Sequence, residues 1–156
     1  VPERRIHLMK SPSPILRTAC AILLSMMSLV AFAEGVLDAN TATAEEMAVL
    51  PHMDETMAGA IISNRPYATI GALHELLGAD LDDEQVAELY GHLFVPINLN
   101  TADETHILMI PGVGKRMAHE FEEYRPYSSI EQFRREMGKY VDEDEVARLE
   151  QYVTLD

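Results

Sequence analysis

Residues 37–96 and 97–156 are two copies of one sixty-residue unit, and this repetition constrains the fold more than any other feature of the chain. "LDANTATAEEMAVLP" at 37–51 lies over "INLNTADETHILMIP" at 97–111, and "RPYATI" at 65–70 lies over "RPYSSI" at 125–130. "VAEL" at 86–89 lies over "VARL" at 146–149, so the alignment holds at an offset of 60 with no gap. Any fold for one copy must serve the other.

Each copy reads as four short helices. Thr43 and Asp103 stand where the first helix needs a cap, and Thr43 has Glu46 three residues on, the pattern of a capping box. Pro51 and Pro111 end that helix, and a hairpin leads to a second helix ending near Asn64 or Tyr124. The Arg-Pro-Tyr step then forces an extended turn, because a residue before proline avoids the helical region. Thr69 and Ser129 cap the third helix, with Gln132 three residues beyond Ser129, and Asp82 and Asp142 open the fourth. Met47, Leu50, Met57, Ala58, Ile61, Ile70, Leu73, Leu77, Val86 and Leu89 keep helical spacing and form the expected first core. No segment alternates with period two, so the expected class is all-α: two tandem four-helix domains, 37–96 and 97–156, after an N-terminal hydrophobic helix.

That N-terminal segment, 1–34, has Arg4, Arg5, Lys10 and Arg17 ahead of an uncharged run, "TACAILLSMMSLVAFA". Sixteen helical residues span roughly 24 Å, short of a ~30 Å hydrocarbon core, and the run closes on Ala31-Phe32-Ala33, an A-x-A cleavage pattern. The expectation is export to the periplasm or the outer face of the inner membrane, with the segment removed as a signal peptide or kept as a short anchor over 15–33. Arg17 three positions before Cys20, the only cysteine, excludes lipidation. Membrane contact, where it occurs, runs through this segment alone.

Charge narrows the partners. The chain carries a formal charge of -14, which repels nucleic acid and anionic lipid as a whole. Residues 37–96 hold one basic and eleven acidic side chains, and residues 97–156 hold seven and thirteen. Contact with phosphate therefore needs a local site, and "IPGVGKR" at 110–116 is the one candidate. Glycines at 112 and 114 permit positive φ and close approach to the backbone. The hairpin feeds a helix N-terminus, whose unpaired N–H groups and positive dipole end attract an anion. Lys115 and Arg116 follow in the first turn, where cations oppose the dipole unless an anion is present. The same residues also admit a plain reading as a tight helix–helix turn, with Arg116 paired to Glu120. The equivalent stretch of the first copy, "LPHMDETMA", has His52 and Asp54 for the glycines and Glu55 and Thr56 for the basic pair. The two acids among them suit the helix dipole and repel phosphate.

At "LMIPGVGKRMA" the chain resembles the tandem helix-hairpin-helix family, and "NTA" at 40–42 and 100–102 resembles its exported ComEA-type competence DNA-binding branch. The stretch "NRPYATIGALHELLGADLDDEQVAELYGHLFV" is similar to PsbU-type extrinsic subunits of photosystem II, which share the fold and cap a membrane complex. The resemblance implies a phosphate-binding hairpin at Gly112, Val113, Gly114, Lys115 and Arg116, with the carbonyls of Leu108, Ile110 and Val113 able to hold a monovalent cation beside DNA. Fold alone does not decide between these functions.

Other constellations carry less. Arg125, Arg134, Arg135 and Lys139 are the one basic concentration, a candidate face for phosphate or an acidic partner. The acidic runs 80–84 and 142–145 suit capping at the start of the fourth helices, and neither has the order of a calcium loop. His52, at a hairpin tip, reads as a solvated turn residue. No metal-ligand spacing, nucleophile elbow or P-loop occurs, so no catalytic, metal or cofactor-binding residue is assigned. The expected function is that of an exported, non-enzymatic structural or docking protein, an extrinsic subunit capping or tethering a membrane protein complex. The alternative is a periplasmic DNA-binding protein that contacts the backbone weakly through the second-copy hairpin.

Overall fold

The structure, a computed structural model, describes residues 35–155. The basic and apolar N-terminal segment, with its reading as signal peptide or anchor, lies outside the described residues. Among the described residues, no helix is long and apolar enough to cross a membrane.

The described chain is mostly helical. In order, the elements are β1 (Leu37–Asp38), α1 (Ala44–Met47), α2 (Glu55–Ser63), α3 (Ile70–Leu77), α4 (Asp83–Leu89) and β2 (Leu93–Phe94), followed by β3 (Ile97–Asn98), α5 (Glu104–Ile107), α6 (Lys115–Glu123), α7 (Ile130–Met137), α8 (Glu143–Glu150) and β4 (Val153–Thr154). The expected caps form. Thr43 and Glu46 make a capping box, and Asp103, Thr69, Asp82, Ser129 and Asp142 each accept from the backbone N–H three residues on. Gln132 departs from the box pattern, because its Oε1 accepts from Ser128 N rather than from Ser129. The acidic runs serve these starts, as Asp82 and Asp142 show.

The short strands are a departure from a purely helical chain. β1 pairs in parallel with β2, Leu37 opposite Leu93, and β3 pairs in parallel with β4, Ile97 opposite Val153. Each strand has two residues, too few to leave an alternating pattern in the sequence. They tie the first and last residues of each copy together.

A second tie explains why "NTA" and "RPY" recur together. Asn40 Nδ2 donates to Tyr67 O at 3.1 Å, and Tyr67 N donates back to Asn40 Oδ1 at 2.7 Å. Arg65 donates through Nε to Ala39 O at 2.6 Å and through Nη2 to Ala42 O at 2.5 Å. The second copy repeats all four bonds, with Asn100 and Tyr127 at 2.9 and 2.7 Å and Arg125 on Leu99 O and Ala102 O at 2.6 Å each. Tyr67 is buried and its hydroxyl donates to Ile61 O, which packs the ring against α2.

Eight of the ten expected core residues are buried, and Leu50 and Met57 are partly so. One hydrophobic cluster takes in residues of both copies rather than leaving two separate cores. Its middle is aromatic: Phe94 meets Tyr152 edge-on at 4.9 Å and Tyr90 edge-on at 5.4 Å.

Candidate functional site

The hairpin 108–114 joins α5 to α6 and places its two glycines in different conformations. Gly112 has φ +80, a left-handed backbone that favours glycine. His52, its counterpart in the first copy, adopts φ +58 and so holds the same turn with a side chain. Gly114 corrects the expectation of a second positive φ. It is the extended N-cap of α6, at φ −101 and ψ 173, and a Cβ added there would meet nothing within 4 Å. Its value lies in the side chain it lacks.

Every other described helix has an oxygen-bearing side chain at its N-cap that accepts from the first turn, and α6 has none. The contrast with α2 is direct, where Asp54 Oδ1 accepts from Met57 N at 2.7 Å. The first turn of α6 also has no acidic residue and begins instead with Lys115 and Arg116. Gly112, Gly114, Lys115 and Arg116 are all exposed, while Val113 is buried and anchors the turn. Among the described residues, neither Lys115 nor Arg116 forms an ion pair, and the Arg116–Glu120 pair expected of a plain turn is not made. The hairpin thus presents two cations, unpaired among the described residues, beside a helix N-terminus without a side-chain cap.

The rear of the turn faces the first copy. Leu108–Val113 line one side of a groove whose other side is His74, Asp83, Val86, Ala87 and Tyr90. Of the three carbonyls that the resemblance links to a monovalent cation, that of Ile110 accepts from Val113 N at 3.1 Å within the turn.

The second basic concentration is a different case. Arg134, Arg135 and Lys139 line a groove between α7 and α8, but Arg125 is not among its lining residues. Arg125 is half-buried and holds the carbonyls of Leu99 and Ala102, with Glu122 beside it at 3.4 Å. Arg134 makes a two-pronged pair with Glu150, at 2.7 and 2.5 Å. Arg135 and Lys139 both bind Glu136, whose carboxyl they hold below the usual range, Lys139 first. These four residues do not form one open basic face, because acids of the same copy and backbone carbonyls already engage them.

His52, expected to be a solvated turn residue, instead ties the first hairpin to α4 by pairing with Glu88, Nε2 to Oε2 at 2.7 Å. The equivalent pair in the second copy is Gly112 and Arg148, whose Nη2 would lie 3.3 Å from a Cβ at 112. Charge at this second position changes from acidic to basic between the copies. Comparing positions 88 and 148 in the sequence would have shown it. Arg148 in turn is held by Glu145, at 2.6 and 2.7 Å.

Among the described residues, no group of three or more His, Cys, Asp or Glu is placed to hold a metal ion. Residues 92–154 match the family model of the helix-hairpin-helix motif. No curated protein and no solved structure matches this chain.

Proposed function

We propose that this protein is a non-enzymatic binding module, built as two tandem four-helix helix-hairpin-helix units. It contacts the phosphate backbone of DNA through Gly112–Arg116 of the second copy. The observation that carries the reading is the start of α6: no side-chain cap, no first-turn acid, and two exposed cations without ion-pair partners among the described residues. Glycine in place of a capping side chain forgoes a few tenths of a kcal/mol, and each cation in the first turn opposes the dipole by roughly 0.3–1 kcal/mol. A helix start kept only for turn geometry has no use for that combined cost. A bound phosphate accepts from the free N–H groups and reverses the charge penalty. The match to a helix-hairpin-helix motif over residues 92–154 supports the same reading.

Binding of this kind is weak. Of four hairpins, one is free of acidic capping side chains, and the first copy next to it is strongly acidic. Two neutralised phosphates give a salt slope near −1.8 on logarithmic axes, so fourfold more salt weakens binding roughly tenfold. Export, with the module in the periplasm or on the outer face of the inner membrane, belongs to the same proposal and rests on the N-terminal charge and hydropathy pattern.

The test is fluorescence anisotropy of labelled duplex DNA titrated with the full chain at 50 and 200 mM salt, beside a Gly112→Asp/Lys115→Glu variant. Micromolar binding at low salt that weakens about tenfold at high salt and disappears in the variant supports the proposal. Absence of binding at 50 mM salt rejects it. The second reading, an extrinsic docking subunit of a membrane complex, would then lead. What favours it is the engagement of Arg125, Arg134, Arg135 and Lys139 within their own copy, which leaves little cationic surface for a polyanion.

A further inference from the structure

The same groove occurs once in each copy, and only one of the two is filled. In the first copy, His74, Asp83, Val86, Ala87 and Tyr90 face the hairpin 108–113 across a space of about 410 Å³. Sixty residues on, their counterparts are Arg134, Glu143, Val146, Ala147 and Glu150, and all five line the groove between α7 and α8. That groove is larger, about 690 Å³, and every residue lining it belongs to α7, α8 or the turn between them. The surface that seats a hairpin in the first copy stands open in the second.

The hairpins differ in the complementary sense. Leu108, Met109, Ile110 and Val113, which face the first copy, are each more buried than their counterparts Ala48, Val49, Leu50 and Met53. Val49 is 48% exposed, the most exposed large apolar side chain among the described residues. Charge inverts as well. The first hairpin runs into Asp54 and Glu55 where the second runs into Gly114 and Lys115, and α7 has Arg134, Arg135 and Lys139 where α3 has His74, Glu75 and Ala79. Within the chain, a basic hairpin meets an acidic copy; the exposed hairpin is acidic, and the open groove has a basic wall. Arg135 and Lys139 share the single carboxylate of Glu136, so one positive charge is left over. Glu143 keeps the place of Asp83, an acid that the seated hairpin already accommodates.

We propose that the α7–α8 groove of one chain takes the hairpin 48–53 of a second copy of this chain, so that the molecules associate head to tail. The step that carries the first copy onto the second inside the chain, repeated once, lays a neighbour's first copy on the open groove. Val49 and Leu50 then cover Val146 and Ala147, and Asp54 and Glu55 approach the wall of Arg135 and Lys139. Such a contact is heterologous: it uses different surfaces on the two partners and leaves a groove open at one end and a hairpin exposed at the other. The patch is small and the chain carries a formal charge of -14, so the association is weak, in the micromolar range. It does not rest on the phosphate reading, because Gly112–Arg116 lies on neither surface.

The test is sedimentation velocity on the full chain over a hundredfold range of concentration, in a non-ionic detergent that shields the uncharged run at 18–33. The native chain is expected to pass from monomer to dimer and beyond, since each added molecule offers a new groove or hairpin. Val49→Asp spoils the hairpin and Ala147→Arg the groove, both at exposed positions, and each variant alone should associate at least tenfold more weakly. An equimolar mixture of the two should form a dimer that grows no further, because one variant keeps a sound groove and the other a sound hairpin. A symmetric contact of groove on groove has no such rescue. Glu55→Lys and Lys139→Glu should each weaken association severalfold, and they cover the case in which circular dichroism shows either of the first variants unfolded. Association of Val49→Asp at the native strength overturns the hairpin as occupant, and the same result for Ala147→Arg overturns the groove. A native chain that stays monomeric throughout, or a mixture of folded variants that forms no dimer, overturns the proposal. None of these substitutions touches Gly112–Arg116, so DNA anisotropy on the same samples reads the phosphate proposal separately.

Discussion

Tyr152 donates its hydroxyl to the carbonyl of Tyr90, 3.1 Å away and 62 residues earlier, in a fully buried contact that joins the two copies. Phe94 fills the space between the two rings. Removing the hydroxyl leaves a buried carbonyl without its donor, worth about 1–3 kcal/mol. Tyr152→Phe should therefore lower stability by about 1–2 kcal/mol in urea unfolding. Because one cluster spans both copies, a single transition should persist. Two resolved transitions, or a loss under 0.3 kcal/mol, would remove the hydroxyl from its role at the junction.

The Asn100–Tyr127 bonds hold the segment before α5 to the turn before α7. Asn100→Ala deletes both and leaves the Tyr127 N–H and C=O to find water in a half-buried place. The expected loss is about 2 kcal/mol, with a similar loss for Asn40→Ala, since the first copy makes the same bonds. Denaturation midpoints of the two variants measure this. Arg125→Lys should also destabilise, because an ammonium cannot reach two carbonyls with a fixed fork. A change under 0.5 kcal/mol in all three would mean that the recurring "NTA" and "RPY" residues are not a structural pair.

Much of this was legible in the sequence, and for a physical reason. Helix starts announce themselves through side chains that must sit at a fixed distance from the backbone they cap, so Thr43, Asp82, Asp103 and Asp142 could be read directly. What stayed hidden acts across long separations. The Arg125 guanidinium reads as surface charge until the carbonyls of Leu99 and Ala102 are placed beside it. The equal spacing of "NTA" and "RPY" in both copies was the available signal. Two-residue strands leave no period, and the emptiness around Gly114 is a property of space, which residue types alone do not encode. Glu120 looked like half of a helical ion pair, and only packing shows its carboxylate turned inward without Arg116.

Acid should weaken the second copy in a defined window. Glu150 lies below its usual range through its bonds to Arg134, and Glu145 through its bonds to Arg148. A carboxyl whose folded pKa is lowered stabilises the fold above the unfolded value of about 4.5 and loses that contribution as pH falls through the folded value. Thermal midpoints should therefore hold level down to about pH 5 and decline below 4.5. Glu150→Gln should lower the midpoint at pH 7 and narrow the gap to the native chain below pH 4. The effect is modest, because both carboxylates reach solvent. A gap that stays constant from pH 7 to pH 3 would show that the Arg134–Glu150 pair contributes nothing.

Gly114→Asp sets stability against binding at one position. The first copy has Asp54 there, accepting from Met57 N, and the space beside Gly114 is open, so the new carboxylate can take the same place over α6. It restores a cap worth a few tenths of a kcal/mol and puts a negative charge beside the dipole and the two cations, worth roughly 0.3–1 kcal/mol more. The variant should unfold at higher denaturant, by about 0.5–1 kcal/mol in total. The same carboxylate occupies the N–H groups that a phosphate would use and neutralises Lys115 and Arg116 in part. DNA affinity at low salt should fall at least tenfold, against the trend in stability. Unfolding titrations and anisotropy on one preparation measure both quantities. A variant that is more stable and binds DNA as well as the native chain would show that phosphate does not sit on the α6 N-terminus. One that is less stable would mean that Gly114 is required by the turn itself, a requirement its extended φ and ψ give no reason to expect.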